Sequence, residues 1–155
     1  MKIRFLCIGK TTDKQIKSLY EGYLSRLSHY VKVNTEYLEL KKKNFGSDTL
    51  KVEEGKLILS KIDASTNLIL LDEVGKQYNS KEFAQFLQKG LNVSSIEMVF
   101  VIGGAFGFSQ EVYSRADHKL ALSKMTFTHQ MVRLIFLEQL YRGFTILKGE
   151  KYHHN

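Results

Sequence analysis

The chain has no proline among its 155 residues. That removes cis-prolyl turns and Pro-rich linkers from consideration. It has a single cysteine, Cys7, which excludes an intrachain disulfide. Flanked by Leu6 and Ile8, that thiol reads as buried and inert, and the expected compartment is the cytoplasm. No apolar run approaches the roughly 18 residues that span a bilayer, so no membrane partner is expected. The opening segment Met1 to Gly9 is too short for a signal peptide and reads as a first strand. No metal site is expected either. The five histidines, His29, His118, His129, His153 and His154, form neither an HExxH pair nor a Cys/His set. Acidic charge is in short supply: 23 Lys plus Arg stand against 16 Asp plus Glu, a net charge of +7. An anionic partner, nucleic acid above all, fits that balance, and so does a plain soluble basic protein.

What is present is ordinary in composition, with 43% hydrophobic and 25% charged residues. Length and composition point to one soluble domain over residues 1–155. Residues 2–9 form a nearly continuous apolar run, as in a strand covered on both faces. Ile16, Leu19, Tyr20, Tyr23, Leu24 and Leu27 recur at helical spacing behind Asp13 or Thr12 as cap. Val31 to Leu40 alternates as a second strand. The basic loop Lys41 to Ser47 fits a solvated turn or an RNA contact. A helix follows from Asp48 to Ile62, with Leu50, Leu57, Ile58 and Ile62 inward, and then a buried strand from Asn67 to Asp72. Ser80 reads as the cap of a helix through Gln88, with Phe83, Phe86 and Leu87 inward. Glu97 to Ile102 is a strand, Ser109 opens a short helix, Lys119 to Leu122 is a strand, and a long helix runs from about Thr128 to Lys148. Such alternation predicts an α/β domain with a mostly parallel sheet flanked by helices.

In sheets of this kind ligands bind beyond the carboxyl ends of the strands. Three segments fall there: Leu71-Asp72-Glu73-Val74-Gly75-Lys76, Ile102-Gly103-Gly104-Ala105-Phe106-Gly107 and Leu122-Ser123-Lys124-Met125-Thr126-Phe127. The glycines permit a tight turn and close approach of a ligand, or serve a purely structural turn. Their GGxxG spacing is not the dinucleotide fingerprint, so a nicotinamide cofactor is disfavoured. Gly75-Lys76 fails as a phosphate loop, because Leu70 stands where the first glycine belongs and Gln77 where Ser or Thr is required. Asp72 and Glu73 are adjacent, point to opposite faces of a strand and make a poor acid/base pair.

The last helix carries the most information. His129, Arg133, Phe136, Leu140, Phe144 and Leu147 share one face, and Met131, Ile135, Glu138 and Arg142 share the opposite one. Apolar residues cover most of its circumference, so it is expected to pack on the sheet and against a second subunit. Glu138 and Arg142 have the spacing of an ion pair. His129, at the helix N-terminus, is a candidate for substrate contact as well as for a capping or packing role.

The run Val99 to Gly107, the segment Leu120 to Arg133 with its Ser123-Lys124-Met125-Thr126-Phe127-Thr128-His129-Gln130 core, the stretch Glu138-Gln139-Leu140-Tyr141-Arg142, and the terminal Tyr152-His153 resemble the RlmH family. This is the small branch of the SPOUT methyltransferases. The resemblance covers the whole chain. It implies a SPOUT fold with a deep C-terminal trefoil knot, a homodimer, and S-adenosylmethionine as methyl donor with no metal. It implies RNA rather than DNA as substrate: N3 of a pseudouridine in large-subunit ribosomal RNA, methylated on the assembled ribosome. The family's cofactor positions fall on Leu71, Gly103 and Leu122, Ser123, Lys124, Met125, Thr126 and Phe127, with Gly104 beside them. For catalysis it points to His129 as base or orienting group and to Arg133 as a partner for charge on the uracil or a phosphate. Arg142, Tyr152 and His153 are further candidates, contributed from the same or a second subunit. Where the family usually has proline before the histidine, this sequence has Thr128, itself a good helix cap. Two other readings share the fold: a ribosome-binding SPOUT protein without catalysis, and a SPOUT enzyme acting on transfer RNA.

Overall fold

The computed structural model describes residues 2–41, 44–93 and 96–154. Five strands, β1 Lys2–Ile8, β2 Lys32–Leu38, β3 Asn67–Gln77, β4 Met98–Ile102 and β5 His118–Ala121, form one sheet in the order β2-β1-β4-β3-β5. Every pairing is parallel. Four helices connect them, α1 Lys14–Leu27, α2 Ser47–Leu59, α3 Ser80–Asn92 and α4 Gln110–Arg115, and α5 His129–Leu147 follows the last strand.

Alternation along the strands sorts the core into two layers. Ile3, Phe5, Cys7, Ile69, Leu71, Met98, Phe100 and Ile102 face one side, under α1, α3 and α5. Leu6, Leu68, Leu70, Val99 and Val101 face the other, with Ile58 of α2 and Val112 of α4. Both faces of the central strands are therefore covered, which is why those strands read as unbroken apolar runs. Burial pushes the Cys7 thiol up to about 12, so it stays protonated.

The expected elements are present, with differences at their ends. Asp13 caps α1, its carboxylate accepting from the backbone of Gln15 and Ile16. Asn79, not Ser80, caps α3: Asn79 accepts from Glu82 N at 2.9 Å and Glu82 accepts from Asn79 N at 2.8 Å. The reciprocal pair satisfies two orphan amides at once, and Ser80 becomes the first helical residue. The expected basic loop includes Lys42 and Lys43, which lie outside the described residues.

β3 does not stop at Asp72. Leu71 and Lys76 both pair with Leu120, so the register slips across Asp72 to Gly75. At Gly75 the two backbones run so close that an added Cβ would lie 2.6 Å from Leu120 N and from the Lys119 carbonyl carbon. Glycine is what permits this approach. The slip turns Asp72, Glu73 and Val74 toward the carboxyl end of the sheet.

Candidate active site

The carboxyl ends of β3, β4 and β5 border a cleft of about 490 Å³, within the range of small-molecule sites. Leu71, Ile102, Leu120, Leu122 and Val132 supply apolar lining, and the Gly103–Gly107 turn and the segment 122–127 border it. All three strand-end segments singled out from the sequence thus meet at one place. Gly75, Lys76 and Lys124 are the exceptions and do not line the cleft; Lys124 is exposed.

The glycines are needed from behind as much as from the ligand side. A Cβ on Gly103 would meet the Phe108 ring at 3.1 Å, and one on Gly104 would meet Glu54 Oε1 at 2.7 Å. Side chains there would press on Phe108 and Glu54. Glu54 is only 7% exposed, its Oε2 has no hydrogen-bond partner, and burial raises its pKa above the usual carboxylate range. This residue was missed in the sequence. The signal was there, because Leu50, Glu54, Ile58 and Ile62 fall on one helical face and only Glu54 is charged.

Asp72 and Glu73 have separate tasks. Asp72 accepts from Tyr113 Oη and from Val74 N at 3.0 Å, which fixes the turn in β3. Burial and then the bond to Asp72 push the Tyr113 phenol up to about 12. Glu73 accepts from Thr126 Oγ1 at 2.8 Å and so ties the β3 excursion to the segment after β5. Ser123 Oγ accepts from Met125 N at 2.9 Å within that segment.

His129 opens α5 and lines the cleft. Thr128 caps the helix, its Oγ1 accepting from Met131 N at 3.3 Å. Gln130 holds the helix start to the β1–α1 connection, accepting from Thr12 N at 3.0 Å and Asp13 N at 2.7 Å. Burial, and then the charge of Arg133, lower the His129 pKa below its ordinary value. The imidazole is therefore neutral at neutral pH and able to accept a proton.

Arg133 does not reach the cleft wall. It is 1% exposed, donating from Nη1 to Thr11 Oγ1 at 3.0 Å and from Nη2 to the Ile8 carbonyl at 2.7 Å. Its guanidinium lies 5.8 Å from the Tyr37 ring centroid, and its Nε has no partner. Its charge acts on the imidazole one turn earlier.

Arg142, Tyr152 and His153 form a second group at the other end of α5. Arg142 Nε donates to Glu138 Oε1 at 3.1 Å, and the guanidinium lies 4.8 Å from the Tyr152 ring centroid. Tyr152 Oη donates to Glu138 Oε1 at 3.2 Å, and its ring meets Tyr141 edge-on at 4.8 Å. His153 Nδ1 is 3.5 Å from Arg142 Nη1. Gly149, at φ +69°, closes the helix with bonds from Gly149 N to Ile146 O and from Glu150 N to Thr145 O. The tail is docked on its own helix. The helical rise separates His129 from Arg142 by roughly 20 Å along the axis, so one chain does not bring the two groups together.

A cleft at the strand ends of a parallel α/β sheet is the place where open α/β proteins bind small ligands. A family model described as "Predicted SPOUT methyltransferase" matches residues 1–153, and the chain belongs to that family. Among named relatives it is 53% identical over 156 residues to the Ribosomal RNA large subunit methyltransferase H of Christiangramia forsetii, covering 99% of each chain. It is 51% identical over 156 residues to the protein of the same name from Flavobacterium johnsoniae, again covering 99% of each. The Cytophaga hutchinsonii protein of that name is 52% identical over 157 residues, covering 99% of this chain and 100% of its own.

Proposed function

We propose that this single-domain chain methylates N3 of a pseudouridine in large-subunit ribosomal RNA, on the assembled ribosome in the cytoplasm, with S-adenosylmethionine as donor. One observation carries the donor assignment. In a chain of net charge +7, no lysine or arginine among the described residues lines the cleft, whereas Asp72 and Glu73 do. That potential suits a ligand bearing a sulfonium cation and repels nucleoside polyphosphates. Apolar side chains from Leu71, Ile102 and Leu122 offer faces to an adenine ring, and the backbone of Gly103, Gly104 and residues 122–127 offers hydrogen-bonding groups beside it.

When bound, S-adenosylmethionine supplies an electrophilic methyl group. The residues of the chain have the acceptor to prepare. His129, neutral at neutral pH, takes the N3 proton of the uracil ring at an imidazole nitrogen. Partial burial first, and then the charge of Arg133 packed one turn on, favour the neutral imidazole. The acidic lining of the cleft excludes phosphate from the donor's place.

Arg142, Tyr152 and His153 lie too far along α5 to serve the same site within one chain. A homodimer with the α5 helices side by side would bring one subunit's tail to the other's cleft. The half-exposed flank of α5 around Met131 and Ile135 supports that contact. The trefoil knot belongs to the same reading.

The test is mass spectrometry of ribosomal RNA from cells lacking the protein, with purified protein and S-adenosylmethionine added back to those ribosomes. Loss of one methylated pseudouridine and its restoration is the expected result. Modification of transfer RNA instead, or no turnover together with no heat of S-adenosylmethionine binding, refutes it.

A further inference from the structure

We propose that Phe106 is a positioning residue for the RNA: its ring is the platform on which the acceptor base stacks when it enters the cleft. This rests on the methyl-transfer reading above and adds the surface that holds the acceptor.

Phe106 stands at the tip of a turn closed by Gly107 N donating to Gly104 O at 3.1 Å, with Gly107 at φ +77°. The turn presents the ring outward, 52% exposed, on the border of the cleft. Two more large apolar side chains border the same opening, Val74 at 73% and Met125 at 77% exposed. Exposed apolar residues scattered singly need no explanation, but three around one opening mark a contact surface. The other phenyl and phenol rings of the cleft are engaged or partly covered. Phe108 is buried edge-on against Tyr113 at 5.8 Å, Tyr113 is bonded to Asp72, and Phe127 is half-buried. Among the described residues Phe106 is the one such lining ring that is exposed.

The occupant follows from the chemistry beneath. A base cannot reach a donor recessed at strand ends while it remains stacked in RNA, so it enters the cleft unstacked, from a loop or by extrusion. The unstacked ring must pass this apolar rim to lie over the donor. A flat, uncharged heterocycle suits a phenyl face, and stacking of a base on an aromatic side chain is worth about 1–3 kcal/mol.

The experiment measures methyl transfer to ribosomes purified from cells lacking the protein, with S-adenosylmethionine affinity measured by calorimetry on the same preparations. Phe106→Ala should lower kcat/KM for ribosomes about tenfold or more while donor affinity stays within about twofold. Phe106→Tyr and Phe106→Trp should restore most of the loss, and Phe106→Leu should not. Unchanged kcat/KM in Phe106→Ala overturns the proposal. A parallel loss of donor affinity also overturns it, by placing the ring in the donor's subsite. Full rescue by leucine overturns stacking in favour of simple apolar contact. A wild-type protein with no turnover on these ribosomes would instead remove the underlying reading, an outcome distinct from the other three.

Discussion

Replacing Gly75 with alanine adds one methyl group where β3 and β5 approach closely at their register slip. The new Cβ would sit 2.6 Å from Leu120 N and the Lys119 carbonyl carbon and 2.7 Å from Leu120 C, where ordinary contact begins at 3.4 Å. All three atoms are backbone, so no rotamer change relieves the overlap. β3 and β5 must part by about 0.8 Å at the point where their register slips. Overpacking of this kind costs about 1–3 kcal/mol, and a backbone neighbour puts the cost in the upper half of that range. For a chain of this length 2–3 kcal/mol corresponds to a Tm lower by roughly 5–10 °C. The same movement displaces Asp72 to Val74 from the cleft, so S-adenosylmethionine affinity should fall as well. Gly22, within α1, has nothing within 4 Å of its Cβ position. The identical substitution there should stabilise the protein by about 0.5–1 kcal/mol. Differential scanning calorimetry at one protein concentration, with donor titrations, measures both variants. Equal Tm values for Gly75→Ala and wild type would refute the steric argument, and a destabilised Gly22→Ala would undo the contrast.

Glu54→Gln should raise Tm at pH 7. The folded-state pKa of Glu54 lies above the unfolded value, so the folded protein disfavours the ionised form; the penalty grows as pH rises from about 4.5 and is absent below it. A gain in Tm that persists undiminished at pH 4 would contradict this. His129→Ala should reduce kcat on ribosomes about a hundredfold or more with little change in donor affinity. Because the His129 pKa is lowered, wild-type activity should hold as pH falls through the ordinary imidazole value and drop only below it; a decline centred at or above 6.5 would count against His129 as base. Deleting Tyr152–Asn155 removes the ring packed on Arg142 and Tyr141. It should leave the fold intact and reduce methyl transfer at least about tenfold, roughly 1.4 kcal/mol; full activity would show the tail to be dispensable. Ile135→Asp should give monomeric or insoluble protein by sedimentation, and an unchanged dimer would place the interface elsewhere.

The location of the cleft was legible in the sequence because strand ends announce themselves: an apolar run stops, and a Gly- or Ser-containing segment follows. Leu71, Gly103 and Leu122 were found that way. The reasons for particular residues were less legible, since they depend on what packs behind. Gly75 looked like half of a phosphate loop, and its glycine is explained by a neighbour 45 positions away in sequence, Leu120. Gly103 and Gly104 suggested room for a ligand, yet Phe108 and Glu54 occupy the space their side chains would take. The resemblance pointed Arg133 to a substrate role, and Arg133 shares a helical face with His129. That face also packs on the end of β1, where Ile8 and Thr11 hold the guanidinium. Helical periodicity reports which residues are neighbours on a helix, but not which of them the sheet covers.

The strand order sets a timetable for synthesis. β1 can pair with β2 as soon as Leu38 has emerged, but its other neighbour, β4, ends at Ile102. At 5–20 residues per second the ribosome needs roughly 3–13 s to make the intervening chain. Through that interval the inner edge of β1, with Phe5 and Leu6, has no strand beside it, and an unpaired apolar edge invites association with other chains. β5 and α5 come later still. The nascent protein therefore depends longest on protection at the strand pair that ends up deepest, and its binding cleft takes shape only as the last forty residues or so leave the tunnel.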